Sequence, residues 1–257
     1  MGVGLDVTGA FLGAALAFAA MALVLLVPLG RELPPADPQS AAESPLRELL
    51  VGARAPVIAL TLLLAIQELH VIVVKHEVSG DAAGSYAVAA VAAKAIIWIA
   101  VGLGMYLVPE AARRVKTGED ARSILVRCLG LIVAGGVPMV LIYVAAGKPL
   151  LEAVFGDDLT LASDALPWLG LAMVLLACTY LAVQYLLALR QYRFIWILAA
   201  GVVAEVLALV AVGDDLTRVA MALLAVQAVC AAVVLFLALG RPAPAGSVAA
   251  AIAEPTT

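Results

Sequence analysis

A chain of 257 residues with 65% hydrophobic and 13% charged residues, and a mean hydropathy of +1.12, is not an ordinary soluble domain. Such domains hold roughly 45–50% apolar and about 25% charged residues. The formal net charge of -4 argues against a nucleic-acid partner, which calls for a basic domain. The expected fold class is therefore all-α: a polytopic transmembrane helical bundle of about seven spans.

In chain order, the 24 uncharged residues between Asp6 and Arg31 suffice for a first span, which needs about 20. The leader lacks the basic start of a signal peptide, and Gly9 and Gly13 form a GxxxG suited to close helix packing. Residues 31–49 are polar, and Pro34, Pro35 and Pro38 argue against a helix there. They read as a linker to a six-helix bundle over 50–240. Its spans are expected at Gly52–Val74, Ser85–Val108 (stopped by Pro109), 128–147, Ala165–Leu189, Phe194–Val212 and Val219–Gly240. The run Gly135-Gly136-Val137-Pro138 predicts a kink in the fourth span, and Pro167 suits the first turn of the fifth. Gln184 and Gln227 are expected to hydrogen-bond between helices. Beyond Arg241 the Ala/Pro-rich tail is expected to be disordered.

The basic residues set the orientation. Eleven of the fifteen fall in alternate loops: Arg31, Arg47 and Arg54; Arg113, Arg114, Lys116, Arg122 and Arg127; Arg190 and Arg193; Arg241. Only Lys75, Lys148 and Arg218 lie on the other side. The positive-inside rule then puts the C-terminus in the cytoplasm and the N-terminus outside. An outside N-terminus without a signal peptide suggests a reversed first span or the latter part of a longer protein.

Charged or titratable groups inside the apolar runs mark the candidate site: Glu68 and His70 in the second span, Lys94 in the third, Glu205 in the sixth. Insertion of such a group costs about 2.5–3.5 kcal/mol, so it is paired or functional. Arg54, Thr61, Glu68 and Lys75 recur every seven residues and form a polar stripe, since a helix drifts only about 20° per heptad. Glu68 and Lys94 lie at comparable depth on antiparallel neighbours. Either they pair, or Lys94 faces a cavity over the small face of Ala83, Ala87 and Ala90. Gly201 and Ala208 give Glu205 a similar small-residue face. Cys128, Cys178 and Cys230 sit in separate spans and read as packing residues. With two histidines and no nucleophile elbow, phosphate loop, HExxH or Asp-rich motif, nothing points to an enzyme, a metal site or a cofactor.

Residues 71–114, with Val74-Lys75-His76, then Ala83-Gly84-Ser85-Tyr86, then Pro109 followed by basic residues, resemble the middle of bacterial polysaccharide flippases. These are members of the multidrug/oligosaccharidyl-lipid/polysaccharide exporter superfamily. Gln184 to Leu209 resembles the family's penultimate hairpin, and the likeness extends over most of residues 50–240. Two departures stand out: Glu68 and His70 occupy a region where the family often has Asn and Asp, and about seven spans replace twelve or more. The chain thus looks like the family's C-terminal half. The resemblance implies translocation of a lipid-linked oligosaccharide across the cytoplasmic membrane, with a separate N-terminal half or a second copy completing the carrier. It also implies a role for Lys94 as cation for the headgroup, and headgroup attraction by Arg113, Arg114 and Lys116, although plain positive-inside topology is the stronger explanation for the last three. The competing expectations are a drug exporter of the same superfamily and a non-transporting membrane subunit. A glycan-assembly enzyme would want a larger outer loop.

Overall fold

The computed structural model describes residues 45–78 and 80–240, with side chains over 53–78 and 80–240. The expected first span, most of the linker and the tail lie outside the described residues. The compact unit treated below begins at Ala53. The described helices are α1 (Pro45–Glu77), of which the unit takes in the part from Ala53, α2 (Asp81–Ala93), α3 (Ala95–Thr117), α4 (Arg122–Phe155), α5 (Leu166–Ala188), α6 (Phe194–Val212) and α7 (Leu216–Gly240). A single 3-10 turn at Asp157–Leu159 lies between α4 and α5, and no strand occurs among the described residues. Six segments, with α2 and α3 counted as one, are long and apolar enough to cross a membrane. The chain is an all-α, multi-pass membrane protein.

Helix α5 is the pillar of the bundle. Its apolar window is 72% buried, against 22% to 44% in the other five segments. Composition does not single it out, because α6 and α7 are as uniformly apolar yet only 22% and 33% buried; the central place of α5 is set by packing. Close approach depends on glycine. A Cβ on Gly136 of α4 would come within 2.6 Å of Val174 Cγ2, and one on Gly170 of α5 within 2.7 Å of the Tyr143 ring. Lipid tails are as apolar as leucine, so helix association in a membrane rests on such close packing rather than on expulsion of water. The outward faces carry Trp98, Met105, Trp196 and Phe236, each about three-quarters exposed.

Four helix boundaries differ from expectation. Helix α1 already begins at Pro45, inside the expected linker, because a proline is tolerated in a first turn. Pro109 does not end a helix: α3 runs on to Thr117. A membrane helix can absorb one missing N–H, and Glu110 paired with Arg113 and Arg114 at i,i+3 and i,i+4 supports the continuation. The stop is Gly118 at φ 72, where the Glu119 and Gly118 N–H groups bond back to Arg114 and Val115 carbonyls. The third change is the expected kink at Gly135–Pro138, where the backbone stays helical; the bend falls at Ala146 (φ -142, ψ 27) instead. That position lies within one turn before Pro149, whose ring displaces the carbonyl four residues back. Gly135-Gly136 thus serves packing, not bending. Fourth, the third span is broken at Lys94, between α2 and α3.

Candidate functional site

Helices α1 and α2 form a hairpin turned at Gly80, whose φ of 69 needs a residue without a Cβ. Deep in this hairpin Lys94 Nζ donates to Glu68 Oε2 at 2.8 Å. The Gln67 side-chain amide donates to the other carboxylate oxygen at 3.2 Å. The Lys94 side chain is 13% exposed and that of Glu68 44%, so the cation is the submerged member. The pairing foreseen as one of two alternatives is therefore present, and the carboxylate remains half open.

The lysine sits where the helix breaks. Its N–H still bonds to the Ala90 carbonyl, but the Ile97 N–H reaches back only three residues, to Lys94. A break frees carbonyls that a membrane cannot hydrate. Tyr143 of α4 meets one of them, donating from its hydroxyl to the Ala92 carbonyl at 2.7 Å. No glycine or proline lies near Lys94, so no residue of the usual breaking types announced this feature.

His70 and Glu205 belong to a second, inner cluster. His70 is fully buried, with Nδ1 3.1 Å from the Tyr86 hydroxyl and the two rings edge to face at 5.8 Å. Glu205, also fully buried, accepts from the Gln227 amide at 3.4 Å, while its Oε1, Gln227 Oε1 and His70 Nε2 have no hydrogen-bond partner. The small residue before Glu205 is explained: a Cβ on Gly201 would lie 2.6 Å from Cys230 Sγ and 3.7 Å from Ile66, so α1, α6 and α7 converge here. Gln227 thus bridges helices as expected. Gln184 does not; it donates to the Tyr180 hydroxyl of its own helix. Sequence reasoning missed Tyr86 and Tyr143, whose hydroxyls find partners only through tertiary packing.

At the opposite end Arg113 pairs with Glu110 and Glu119, and Arg114 with Glu110, Ser123 and the Asp120 carbonyl. The Thr117 hydroxyl and Arg113 hold the Glu119 carboxyl below the usual carboxylate range. These contacts tie the α3–α4 turn together, and of the three expected headgroup cations only Lys116 has no ion-pair partner among the described residues.

The polar stripe of α1 faces outward. Arg54, Thr61 and Lys75 are exposed and Glu68 is half-exposed, in a segment long and apolar enough to span a bilayer. Cys128, Cys178 and Cys230 are buried free thiols, consistent with packing. The described residues contain no group of three or more His, Cys, Asp or Glu able to hold a metal ion. No protein-family model, curated protein or solved structure matches this chain.

Proposed function

We propose that this protein is the half of a cytoplasmic-membrane carrier that moves a lipid-linked oligosaccharide precursor across the bilayer. The reading rests on the outward polar stripe of α1, with Glu68 half open and paired to the submerged Lys94. Uncovered polar groups at membrane depth are costly in lipid and mark cavities or pathways. A second bundle set against this stripe would enclose a polar passage lined by Arg54, Thr61, Lys75 and the Lys94-paired Glu68, with the two exposed cations, Arg54 and Lys75, suited to a sugar pyrophosphate. The likeness of residues 71–114 to polysaccharide flippases supports the same assignment. No enzymatic step is needed for it.

Carriers of this kind alternate access by rocking one bundle against another. The partner is a separate N-terminal half or a second copy of this chain. The test is transfer of a fluorescent polyprenyl-pyrophosphate sugar between leaflets of proteoliposomes. Transfer is expected with the completed pair of bundles, and none with a demonstrably monomeric chain. Transfer by the monomer, or none by any completed assembly, would refute the proposal.

One observation favours a different cargo. Glu205 is fully buried and among the described residues has no basic group within ion-pair distance, as a protonatable group in an ion-coupled exporter would be. Glu205→Gln is nearly isosteric and leaves the bundle folded. For a lipid-sugar carrier, leaflet transfer by this variant is expected to match wild type. Loss of ion-dependent drug efflux in a cell assay would favour the exporter instead.

A further inference from the structure

The hairpin that holds the Lys94–Glu68 pair opens, toward its turn, into a cleft of about 380 Å³ lined by Val71, Lys75, Val78, Ala83, Gly84 and Ala87. This volume falls within the roughly 300–1,000 Å³ of small-ligand sites. The cleft and the ion pair share one seam. Glu68, Val71, Lys75 and Val78 follow each other at three- and four-residue steps along α1, as do Ala83, Ala87, Ala90 and Lys94 along α2. Ala90 is fully buried and closes the seam between cleft and pair.

Charge along the seam does not cancel. Lys94 is neutralised by Glu68, whereas Lys75 has no carboxylate within ion-pair distance among the described residues, Glu77 and Asp81 included. The cleft therefore holds one uncompensated cation above a floor of alanine and glycine. Ile72 and Val91, each about three-fifths exposed, stand one turn from Lys75 and Ala87 and provide apolar flanks. A cation, a small-residue floor and apolar flanks at the end of a membrane hairpin match an anionic headgroup continuous with a hydrocarbon chain. They match a free anion poorly, since that gains nothing from Ile72 and Val91.

We propose that the α1–α2 cleft is a binding site for the phosphate headgroup of a membrane lipid, with Lys75 as its cation. The site stands apart from the Lys94–Glu68 pair, some seven residues or roughly 10 Å farther from the turn. It deepens the carrier reading by giving the lipid-linked phosphate a second station near the hairpin turn. Binding itself does not depend on transport.

The experiment measures lipid retention by the purified full chain in detergent, using native mass spectrometry. Phosphatidylglycerol, diacylglycerol with the same acyl chains, and inorganic pyrophosphate are the three probes. Phosphatidylglycerol is expected to bind in preference to both others. Lys75→Gln should weaken it about tenfold, the worth of one charge-assisted hydrogen bond. Lys75→Arg should retain it, and Ala87→Leu should lose it by filling the floor. Lys75 is exposed, so its replacements leave folding intact. Equal phosphatidylglycerol binding by wild type, Lys75→Gln and Ala87→Leu would overturn the site, and binding of pyrophosphate as strong as that of the lipid would overturn the lipid assignment. Selective binding without leaflet transfer would leave this site standing and remove the carrier reading alone.

Discussion

Glu68→Leu is expected to destabilise the protein more than Lys94→Met, and the double replacement to fold like wild type while failing to transport. The asymmetry follows from exposure. Removing Glu68 strands an ammonium group that is 13% exposed, whereas removing Lys94 leaves a carboxylate that is 44% exposed and still bonded to Gln67. Breaking a fully buried pair costs about 3–5 kcal/mol, while replacing both partners by apolar residues is often neutral. The half-open carboxylate reduces the first figure to about 1–3 kcal/mol. Thermal unfolding in detergent should therefore show a lowered Tm for Glu68→Leu, a smaller drop for Lys94→Met and recovery in Lys94→Met/Glu68→Leu. The leaflet-transfer assay on the completed carrier separates structure from function. A folded double variant that no longer moves the lipid-linked sugar assigns the charge to substrate handling. Wild-type transfer by that variant would reduce the pair to scaffolding.

The parts of this fold that could be read from the chain are those governed by composition over long windows. Membrane spans depend on about 20 residues at a time, so local choices cannot obscure them, and four of the six expected cores coincide with continuous helices, the other two being broken at Lys94 and bent at Ala146. Local punctuation was less informative. Pro109, Pro138 and Pro149 are chemically alike, yet only Pro149 is preceded by a bend. In a bilayer, surrounding helices decide whether a missing N–H is tolerated, and that information is tertiary.

The same limit applies to the site. The pairing of Glu68 with Lys94 was legible only as one of two alternatives, because comparable depth on antiparallel neighbours fits both an ion pair and a lysine facing a cavity. The break at Lys94 was not legible, since its signal is the Tyr143 hydroxyl bonded to the Ala92 carbonyl, 51 residues apart in sequence. His70 and Glu205 were correctly singled out as submerged. Their separation from the Lys94 pair depends on helix rotation, which the small-residue faces of α2 and α6 do not determine by themselves.

That tyrosine supports the second large effect, expected at Gly170. Glycine is required there by space rather than by backbone angle, because a Cβ would sit 2.7 Å from Tyr143 Cδ2 and 3.0 Å from Cε2. A ring held at its far end by a hydrogen bond cannot yield cheaply. Gly170→Ala must push α4 and α5 apart or swing the ring away from the Ala92 carbonyl. Overpacking costs about 1–3 kcal/mol, and loss of the hydrogen bond, which leaves the Ala92 carbonyl without a partner, adds about 1–3 kcal/mol. Tyr143→Phe removes only the hydroxyl and should cost that second amount alone. In the double variant Gly170→Ala/Tyr143→Phe the ring is free to move, so the two costs should combine to less than their sum, as expected for residues in contact. Thermal unfolding of the four proteins in one detergent measures the cycle. Strict additivity would show that Gly170 acts independently of the bond that satisfies the broken helix.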